Sequence, residues 1–376
     1  MNNRLIVKFN SNVSKDHCMK IHQQVGSTMV DCIDELNCYV VITGNDMDKC
    51  RKWYLCCEGV EFVEFDTVVK TNPIKGKAMP NDPGFTQQWG LPKVSASKAW
   101  SIARRNLRRV SIAILDSGID QNHRDLSNKI IVNRNFTDSH TVDDLNGHGT
   151  HVAGIACTIT NNARGIAGMS YNAASLMNIK VLGDQGFGLV SWVAQGIVFA
   201  ANQDAKVINM SLGSSAHSKL LGSAVLYAWR EKRVVIIAAA GNNSSNTREF
   251  PAAYNPVVSV AATNKNDRKA RFSNYGAKWV DVAAPGVKIL STAPNHSNEI
   301  SCLDYCSLSG TSMSTPFVSG LAALIYATNP NLNNRQVVRI IQKGAVSVPG
   351  TGRLYKHGRI NAYKSMVIAR NNRRNR

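Results

Sequence analysis

The sequence contains no apolar run long enough to cross a bilayer. The longest one, residues 234–240, has seven residues, whereas a membrane-spanning helix needs about 20. The opening Met1-Asn2-Asn3-Arg4 is followed by a short, mostly apolar stretch that ends at Asn10, which does not match a secretory signal peptide. These absences predict a protein without a transmembrane segment that works in the cytoplasm or is exported by a non-standard route.

Acidic residues are scarce in the larger part of the chain. The 376 residues include 44 Lys or Arg and 25 Asp or Glu, which gives a formal net charge of +19. Residues 1–77 hold ten of each sign, so the rest of the chain carries the whole excess. A basic surface favours an acidic partner such as nucleic acid, an anionic membrane or an acidic protein. No zinc spacing, RNA-binding signature or helix-turn-helix pattern is present, so we expect no specific nucleic-acid recognition.

The cysteine pattern of a metal site or a disulfide framework is also lacking. Six of the nine cysteines lie before residue 58, and their spacing does not resemble that of metal ligands. An odd number of cysteines without a leader sequence predicts mostly reduced thiols. Cys302 and Cys306 are close enough in the sequence to pair within a loop, but the sequence leaves their pairing open.

The N-terminal segment has the pattern of a small α+β unit. With 376 residues, 44% of them hydrophobic, the chain is expected to form about two domains. Alternating apolar residues and helical spacing predict strands at 4–9, 27–33, 37–43 and 60–65 and helices at 14–25 and 46–56. This β-α-β-β-α-β order is ferredoxin-like. Residues 71–84, which are polar and contain Pro and Gly, are predicted to be a linker.

After residue 100 the pattern changes to buried strands that alternate with helices. The predicted strands are 110–115, 176–182, 207–212, 234–240 and 257–262, and the main helices are 189–202, 217–232 and 313–327. Continuous apolar strands of this kind predict a doubly wound, mostly parallel α/β sheet. Functional sites in such sheets lie at the carboxyl ends of the strands.

Four polar residues follow strands or begin helices in this part of the chain. Asp116 ends the first strand, His148 lies between two glycines, Asn242 follows the fourth strand and Ser312 opens a predicted helix. Each has a structural alternative: a strand-end acid, a structural histidine, a Gly-Asn turn and a helix cap. Together they supply a nucleophile, a base, an orienting acid and an oxyanion donor.

The motifs around these residues resemble those of the subtilisin-like serine proteases, and of their thermitase-like members in particular. The resemblance runs from about residue 81 to 364 and rests on LDSG at 115–118, GHGTHVAG at 147–154, SLG at 211–213, AAGN at 239–242 and GTSMSTP at 310–316. Neither Gly-x-Ser-x-Gly nor His-Glu-x-x-His is present. The resemblance implies a serine endopeptidase in which Asp116, His148 and Ser312 are catalytic and Asn242 binds the oxyanion.

The resemblance also implies where substrate binds. It places Ser211, Leu212 and Gly213 on one wall of the pocket for the residue before the cleaved bond (P1), and Ala240 and Gly241 on the other. Glu249 aligns with the pocket floor, and a carboxylate there favours Lys or Arg at P1. The alternative for Glu249 is an exposed loop glutamate.

By the same resemblance the protein is a self-processing zymogen and a monomer. Residues 1–77 correspond to an inhibitory, chaperone-like prodomain, residues 78–370 to the peptidase domain and residues 371–376 to a basic tail. Mature relatives begin a few residues before Asn-Asp-Pro, which is 81–83 here. We therefore expect a cut after Lys77. The competing interpretations are a non-catalytic scaffold of this fold and a basic nucleic-acid-binding protein.

The resemblance implies a structural Ca²⁺ ion as well. Carboxylates and loop carbonyls suit a hard cation. The ligands that the family pattern assigns are Asp82, Asp125 and Asn162 with the carbonyl oxygens of Ile159, Arg164 and Ile166.

Overall fold

A computed structural model describes residues 3–44, 46–71, 77–78, 84–103 and 109–374 of the chain. At 68–71, 77–78 and 372–374 it describes the backbone alone.

The N-terminal unit has the predicted β-α-β-β-α-β order. Its elements are β1 (Arg4–Phe9), α1 (Lys15–Val25), β2 (Thr28–Ile33), β3 (Cys38–Ile42), α2 (Met47–Leu55) and β4 (Val60–Phe65). The strands form an antiparallel sheet in the order β2-β3-β1-β4. Leu5, Val7 and Val63 on one face of this sheet pack with Ile21 and Tyr54 of the two helices. The ferredoxin-like prediction is confirmed.

The remaining elements form the larger unit and the segment that leads into it. The strands are β5 (Val68–Thr71), β6 (Lys77–Ala78), β7 (Val110–Asp116), β8 (Ile130–Asn135), β9 (Ala174–Lys180), β10 (Phe187–Leu189), β11 (Val207–Met210), β12 (Leu212–Gly213), β13 (Val235–Ala239), β14 (Val258–Thr263), β15 (Val282–Pro285), β16 (Ile289–Thr292) and β17 (Tyr305–Leu308). The helices are α3 (Gly90–Lys93), α4 (Ala96–Trp100), α5 (His148–Cys157), α6 (Val190–Asn202), α7 (Lys219–Arg230), α8 (Thr311–Thr328), α9 (Asn334–Gly344) and α10 (Ala362–Arg374).

A seven-stranded parallel sheet forms the centre of this unit, in the order β15-β14-β13-β11-β7-β9-β8. Side chains of β7 alternate between its faces: Ile112 and Ile114 join the core with α5 and α8, while Ala113 and Leu115 join the core with α6 and α7. The predicted doubly wound parallel sheet is therefore confirmed. Because every strand runs the same way, the carboxyl ends of all seven lie along one edge.

Two small sheets connect the N-terminal segment to this unit. β5 lies between β10 and β12 and is antiparallel to both. β6 pairs with β17, which also pairs with β16. The predicted strand 207–212 is split at Ser211, where the chain leaves the parallel sheet and continues as β12.

The structure answers the open question about Cys302 and Cys306, which form a disulfide with a Cα–Cα distance of 6.1 Å. The other seven cysteines are free thiols. No helix in the described part of the chain combines the length and the apolar character that crossing a bilayer requires.

Candidate active site

Asp116 and His148 meet at the carboxyl edge of the sheet. Asp116 is the last residue of β7 and His148 is the first residue of α5. The ring atom Nδ1 of His148 lies 2.6 Å from Oδ1 of Asp116, and both side chains are fully buried. A carboxylate oxygen that accepts this bond requires a proton on Nδ1, and in the neutral imidazole the lone pair then lies on Nε2. Asp116 thus fixes the orientation of the His148 ring.

The neighbouring His151 is unsuited to that role. Its Nε2 atom lies 3.1 Å from the backbone oxygen of Cys306, to which it donates. Burial lowers the pKa of His151 to about 3. His151 therefore stays neutral and structural, while His148 faces the catalytic edge.

Asp144 joins the strand that carries Asp116 to the helix that carries His148. One of its carboxylate oxygens accepts hydrogen bonds from Ser117 Oγ and from the Gly147 amide, both at 2.8 Å. The other accepts from the amide and the hydroxyl of Thr150, both at 2.7 Å. Four donors thus hold a carboxylate that is completely buried.

Gly147 supplies the turn that brings His148 into place. Its φ angle of 98° lies in the left-handed region that favours glycine. A Cβ atom there would also come within 2.6 Å of the Ile300 side chain. Both facts explain why glycine immediately precedes the histidine.

Ser312 lies in the first turn of α8. Its Oγ donates to the backbone oxygen of Ser211 at 3.1 Å, and Nε2 of His148 has no hydrogen-bond partner among the described residues. The serine–histidine hydrogen bond is therefore not formed in this structure. Such bonds often tighten only when substrate binds.

A proline in the helix explains the second contact between Ser211 and Ser312. Pro316 has no N–H to donate to the carbonyl of Ser312 four residues earlier. The hydroxyl of Ser211 donates to that carbonyl instead, at 2.9 Å. Asn209 in turn donates to Ser211 Oγ at 3.1 Å. The nucleophile is thus tied to the end of β11.

Asn242 presents its amide N–H group at the same place. Its Oδ1 accepts from the amide and the hydroxyl of Thr311, both at 2.9 Å. These bonds fix the amide plane and leave Nδ2 buried without a partner among the described residues. A buried, unused donor beside the nucleophile is suited to a developing oxyanion.

Glu249 lies between the two predicted walls of the substrate pocket. A Cβ atom on Gly213 would be 3.0 Å from its Oε2, and one on Gly241 would be 2.5 Å from its Cδ. Only 6% of Glu249 is exposed, which is not the exposed loop glutamate of the alternative interpretation. Oε1 accepts from Asn243 at 2.7 Å and from Asn274 at 3.2 Å.

The electrostatic environment of Glu249 is set mainly by its burial. Burial raises the pKa of the carboxyl above its ordinary value, and the hydrogen bonds from Asn274 and Asn243 oppose this rise. Within the part of the chain that the structure describes, Glu249 forms no ion pair. The pocket thus holds a carboxylate that has hydrogen bonds but no counter-ion.

The sequence model of the subtilase family matches residues 108–359, which is more than half of the chain. The chain belongs to the subtilase family. It is 38% identical to a thermophilic serine proteinase of Bacillus sp. (strain AK1), over 96% of this chain and 87% of that protein. It is 44% identical to thermitase of Thermoactinomyces vulgaris, over 76% of this chain and 99% of thermitase. This subtilase is a subtilisin-like serine endopeptidase.

A solved structure shares the fold of this subtilase. Fervidolysin from Fervidobacterium pennivorans, described as a keratinolytic enzyme related to subtilisin, aligns with a TM-score of 0.83 at 24% identity. The alignment covers 98% of this chain and 61% of that one. The chain thus spans less than two thirds of fervidolysin, and the likeness carries the fold alone.

The subtilase holds the strand β5 of its own chain beside Leu212 and Gly213, next to Ser211. In β5, Thr71 pairs with Leu212 and Lys70 pairs with Gly213 on one side, and Lys70 pairs with Phe187 on the other. β5 therefore runs towards Ser211 where it ends. Lys77 lies in β6, paired with Ser307, and is not in this strand.

The predicted calcium ligands of the subtilase come together in part. Asp82 lies outside the described residues. The fully buried Asp125 accepts from Asn162 Nδ2 at 2.7 Å through one oxygen, and from the Ile166 amide and Tyr305 hydroxyl at 3.0 Å through the other. A side chain at Gly165, where φ is 57°, would overlap this carboxylate.

The other loop ligands lie beside these residues. The amide of Ile159 donates to the Asp125 carbonyl at 3.1 Å, and the amide of Arg164 donates to Asn162 Oδ1 at 2.9 Å. Carboxylate and carbonyl oxygens suit Ca²⁺, but here N–H and O–H donors contact both oxygens of Asp125, and the Ile166 carbonyl accepts from the Thr158 hydroxyl at 2.9 Å. An ion bound at this loop would have to replace several of these hydrogen bonds.

A second group of metal-ligand residues was not predicted from the sequence. The ligand atoms of Asp120, Asp143 and His296 all lie within 4.8 Å of one another. The two Asp120 oxygens already accept from the backbone amides of Asn122 and Asn295, each at 2.8 Å. His296 lies 3.6 Å from Asp143, so an ion pair accounts for the arrangement.

Sequence reasoning also missed the residues that support the site. Asp144 and the fully buried Lys180 are the main ones; Lys180 donates to the backbone oxygens of Ser117 and Asp143 at 2.6 and 2.9 Å. A lysine inside a buried strand is a signal that could have identified it, because charged residues are seldom fully buried unless they are paired.

Proposed function

We propose that this subtilase cuts peptide bonds by nucleophilic attack of Ser312, with His148 as base and acid and Asp116 as the orienting carboxylate. The observation that supports it most is the 2.6 Å bond between His148 Nδ1 and Asp116, which orients the ring and leaves Nε2 without a described partner. These features also speak against the competing interpretation as a non-catalytic scaffold.

In the proposed reaction, Oγ of Ser312 bonds to the scissile carbonyl carbon while its proton moves to His148 Nε2. The carbonyl oxygen becomes an oxyanion that accepts hydrogen bonds from Asn242 Nδ2 and the Ser312 amide. Collapse of the intermediate breaks the carbon–nitrogen bond, and the leaving amine takes the proton from Nε2. Water then hydrolyses the acyl-enzyme by the same sequence and frees Ser312.

The first test is the activity of two variants on a chromogenic peptide. Ser312→Ala should abolish turnover, and Asn242→Ala should lower kcat roughly 10²–10³-fold with little change in KM, because the oxyanion exists only in the transition state. Asn266→Ala, an exposed asparagine in another loop, is the control. Unchanged turnover in Ser312→Ala would end the proposal.

A preference for Lys or Arg at P1 follows from Glu249. Its carboxylate is buried between Gly213 and Gly241 and has no counter-ion among the described residues, so a basic side chain would satisfy it. Glu249→Gln should lower kcat/KM for a P1 Lys peptide by at least about tenfold, the value of one charged hydrogen bond, and spare a P1 Leu peptide. Glu299→Gln, an exposed acid, is the matched control.

We further propose that residues 1–77 act as an inhibitory prodomain that the enzyme removes from itself. Occupation of the strand position between β10 and β12 by β5 supports this, because an added strand in that position imitates a bound peptide. The predicted cut after Lys77 requires that segment to leave β17 and enter the cleft. The register of β5 instead favours a cut soon after Thr71.

Intact mass separates these possibilities. Wild type purified beside Ser312→Ala should shorten, to a chain that starts at Ala78 if the cut follows Lys77 and to one that starts closer to Thr71 if the register of β5 decides it, while the variant stays at full length. A mature chain that starts closer to Thr71 would still support self-processing. It would overturn the predicted cut after Lys77, and with it the support that this cut gives to the P1 preference.

We propose a structural Ca²⁺ site at Asp125, Asn162 and the carbonyls of Ile159, Arg164 and Ile166, with Asp82 as a further ligand. The ion would supply a positive charge that joins these loops. In the Ser312→Ala background, saturating Ca²⁺ should stabilise the fold by about 2.7 kcal/mol at 100 times Kd. Asp125→Asn should remove the difference in Tm between Ca²⁺ and EDTA, and the exposed Asp204→Asn should keep it.

A further inference from the structure

Exposed basic residues precede four strands of the parallel sheet. They are Arg109 before β7, Lys206 before β11, Arg233 before β13 and Lys278 before β15. In a parallel sheet the amino ends share one edge and the carboxyl ends share the other. These cations therefore lie along the edge opposite the active site.

Two adjoining grooves run along this basic edge. The larger, of about 840 Å³, is lined by six basic residues: Arg230, Arg248, Lys278, Arg335, Arg339 and Lys356. The smaller, of about 570 Å³, is lined by Arg109, Lys206 and Arg233. The side chain of Asn334 donates to the Trp229 carbonyl at 2.9 Å, which ties the start of α9 to the end of α7 where the grooves meet.

Nine basic residues and two acidic ones line the described parts of the grooves, so their positive charge is only partly balanced. Asp204 and Asp281 are the acidic residues that line them. Asp281 already accepts from the Ser259 amide at 3.1 Å. Among the described residues no groove cation forms an ion pair, whereas Arg359 elsewhere contacts Asp267 at 2.7 Å. Packing like charges together is unfavourable unless an anion binds between them.

Helix α10 adds further positive charge beside the smaller groove. The backbone oxygen of Ala369 accepts from Asn329 at 3.3 Å, and the next two residues, Pro330 and Asn331, line that groove. The sequence from Arg370 to Arg376 contains four arginines. The exposed Arg370, which directly follows Ala369, thus adds a positive charge beside this groove.

We propose that the two grooves bind the phosphate backbone of single-stranded nucleic acid without sequence preference. Six of the nine groove cations are arginines, whose planar donors match phosphate oxygens. The half-buried Trp229 and Trp279 line the larger groove, and aromatic rings stack on bases. The concave shape, in which Leu226 is the one exposed large apolar residue of the described lining, suits a polymer better than a membrane surface.

The test measures binding of a labelled oligothymidylate of about 30 nucleotides to the full Ser312→Ala chain by fluorescence anisotropy across a salt series. The logarithm of the association constant should fall linearly with the logarithm of the salt concentration. A groove variant, Arg230→Gln/Arg335→Gln/Arg339→Gln, should bind more weakly. The slope of log association constant against log salt concentration should decrease in magnitude by about 2, because three phosphate contacts are lost. The control Lys265→Gln/Arg268→Gln/Arg271→Gln removes equal charge from the exposed loop after β14 and should bind as the parent does.

Equal weakening by the two triple variants would overturn the assignment to the grooves, since total charge would then govern binding. Binding to phosphatidylserine vesicles or polyglutamate without binding to the oligonucleotide would overturn the assignment to nucleic acid. The groove substitutions in the catalytically intact chain should leave peptide hydrolysis unchanged. The binding assay uses the Ser312→Ala chain, so its outcome does not depend on catalysis. Loss of oligonucleotide binding and loss of peptide hydrolysis can therefore be told apart.

Discussion

At the scale of single residues, Asp144 links the segments that carry Asp116 and His148. Its four hydrogen bonds join Ser117, next to Asp116, with Gly147 and Thr150 on either side of His148. It touches neither the nucleophile nor the imidazole, so it is a positioning residue. Its role is to keep Asp116 and His148 in contact.

Asp144→Asn should reduce both stability and catalysis. In the variant, an N–H₂ group replaces one carboxylate oxygen and faces two hydrogen-bond donors. Losing these two hydrogen bonds should lower the free energy of unfolding by about 3 kcal/mol. We also expect kcat to fall more than KM rises, with a shifted pH–rate profile, because the His148–Asp116 geometry is disturbed. Denaturant unfolding and pH–rate profiles test this. The exposed Asp138→Asn is the control, and a profile like that of wild type would mean that the role is only structural.

The proposed P1 preference should depend on pH through Glu249. Burial raises its pKa, so the carboxylate is ionised only above that raised value, and a basic P1 residue gains its partner as pH rises through it. The ratio of kcat/KM for P1 Lys and P1 Leu peptides should increase across this range, while effects of the triad cancel in the ratio. If the ratio changes with pH to the same extent in Glu249→Gln, the pH dependence does not come from Glu249 and the assignment to this residue is contradicted.

His22 gives the N-terminal unit its own dependence on pH. Burial lowers its pKa to about 4, and Nδ1 lies 2.7 Å from the Tyr54 hydroxyl. Its folded pKa lies below the ordinary value of 6.5, so the neutral form stabilises the fold above that value. This stability is lost as pH falls towards about 4.

Hydrogen exchange in β1 and β3 of the Ser312→Ala chain tests this loss. Protection should fall by up to about 3 kcal/mol over that range, from the difference in pKa. The exposed His17→Gln should behave as the parent does, and His22→Leu should flatten the dependence. An unchanged dependence in His22→Leu would assign it to other groups.

At the scale of elements, acids of β4 and the residue after it cap two helices of the larger unit. Glu64 accepts from the amides of Lys219 and Leu220 at 2.7 and 3.1 Å, at the start of α7. Asp66 accepts from the amide and hydroxyl of Ser191 at the start of α6, at 3.2 and 2.8 Å. Negative charge at a helix start satisfies free N–H groups and the helix dipole.

Glu64→Ala/Asp66→Ala should therefore slow folding of the Ser312→Ala chain and lower its stability by about 2 kcal/mol, near 1 kcal/mol for each cap. Refolding from denaturant, followed by fluorescence, measures both. Glu61→Ala removes an exposed acid from the same strand and serves as the control. Equal effects of Glu61→Ala and the double variant would show that charge on β4, and not capping, matters.

The elements that sequence patterns predicted well are those whose signal is local. Apolar runs identified the strands of the parallel sheet, and the residues that follow them brought Asp116 and Asn242 to the correct edge. The split at Ser211 was not predicted, because the apolar run continues while the chain leaves the parallel sheet and pairs with β5. Nor were the caps: Glu64 and Lys219 are 155 residues apart, and no local pattern relates them.

At the scale of the whole molecule, charge is divided between the two edges of the sheet. Acids follow the carboxyl ends of the strands, among them Asp120, Asp138, Asp143, Asp184 and Glu249, whereas the basic grooves lie along the amino ends. Net charge alone could not predict this division, because it depends on which loops the fold places together. The loops after β7, β8 and β9 thus make their part of the carboxyl edge acidic, while the loop after β14 adds Lys265, Arg268 and Arg271 at the same edge.

This division should appear in the salt dependence of catalysis. With P1 Leu held constant, kcat/KM for a peptide flanked by lysines should fall several-fold from about 0.02 to 0.2 M salt, since screening removes attraction to the acidic edge. A peptide flanked by glutamates should show the opposite trend. If the lysine peptide instead gains with salt, the overall charge of +19 governs approach to the cleft.

The strand β5 has one more consequence, which concerns concentration. While it is part of the same chain, it competes for its place between β10 and β12 at an effective local concentration in the millimolar range. Once the chain is cut, that competitor is present only at the bulk concentration of the protein. Dilution then favours its departure, so a dilute preparation should become fully active sooner than a concentrated one.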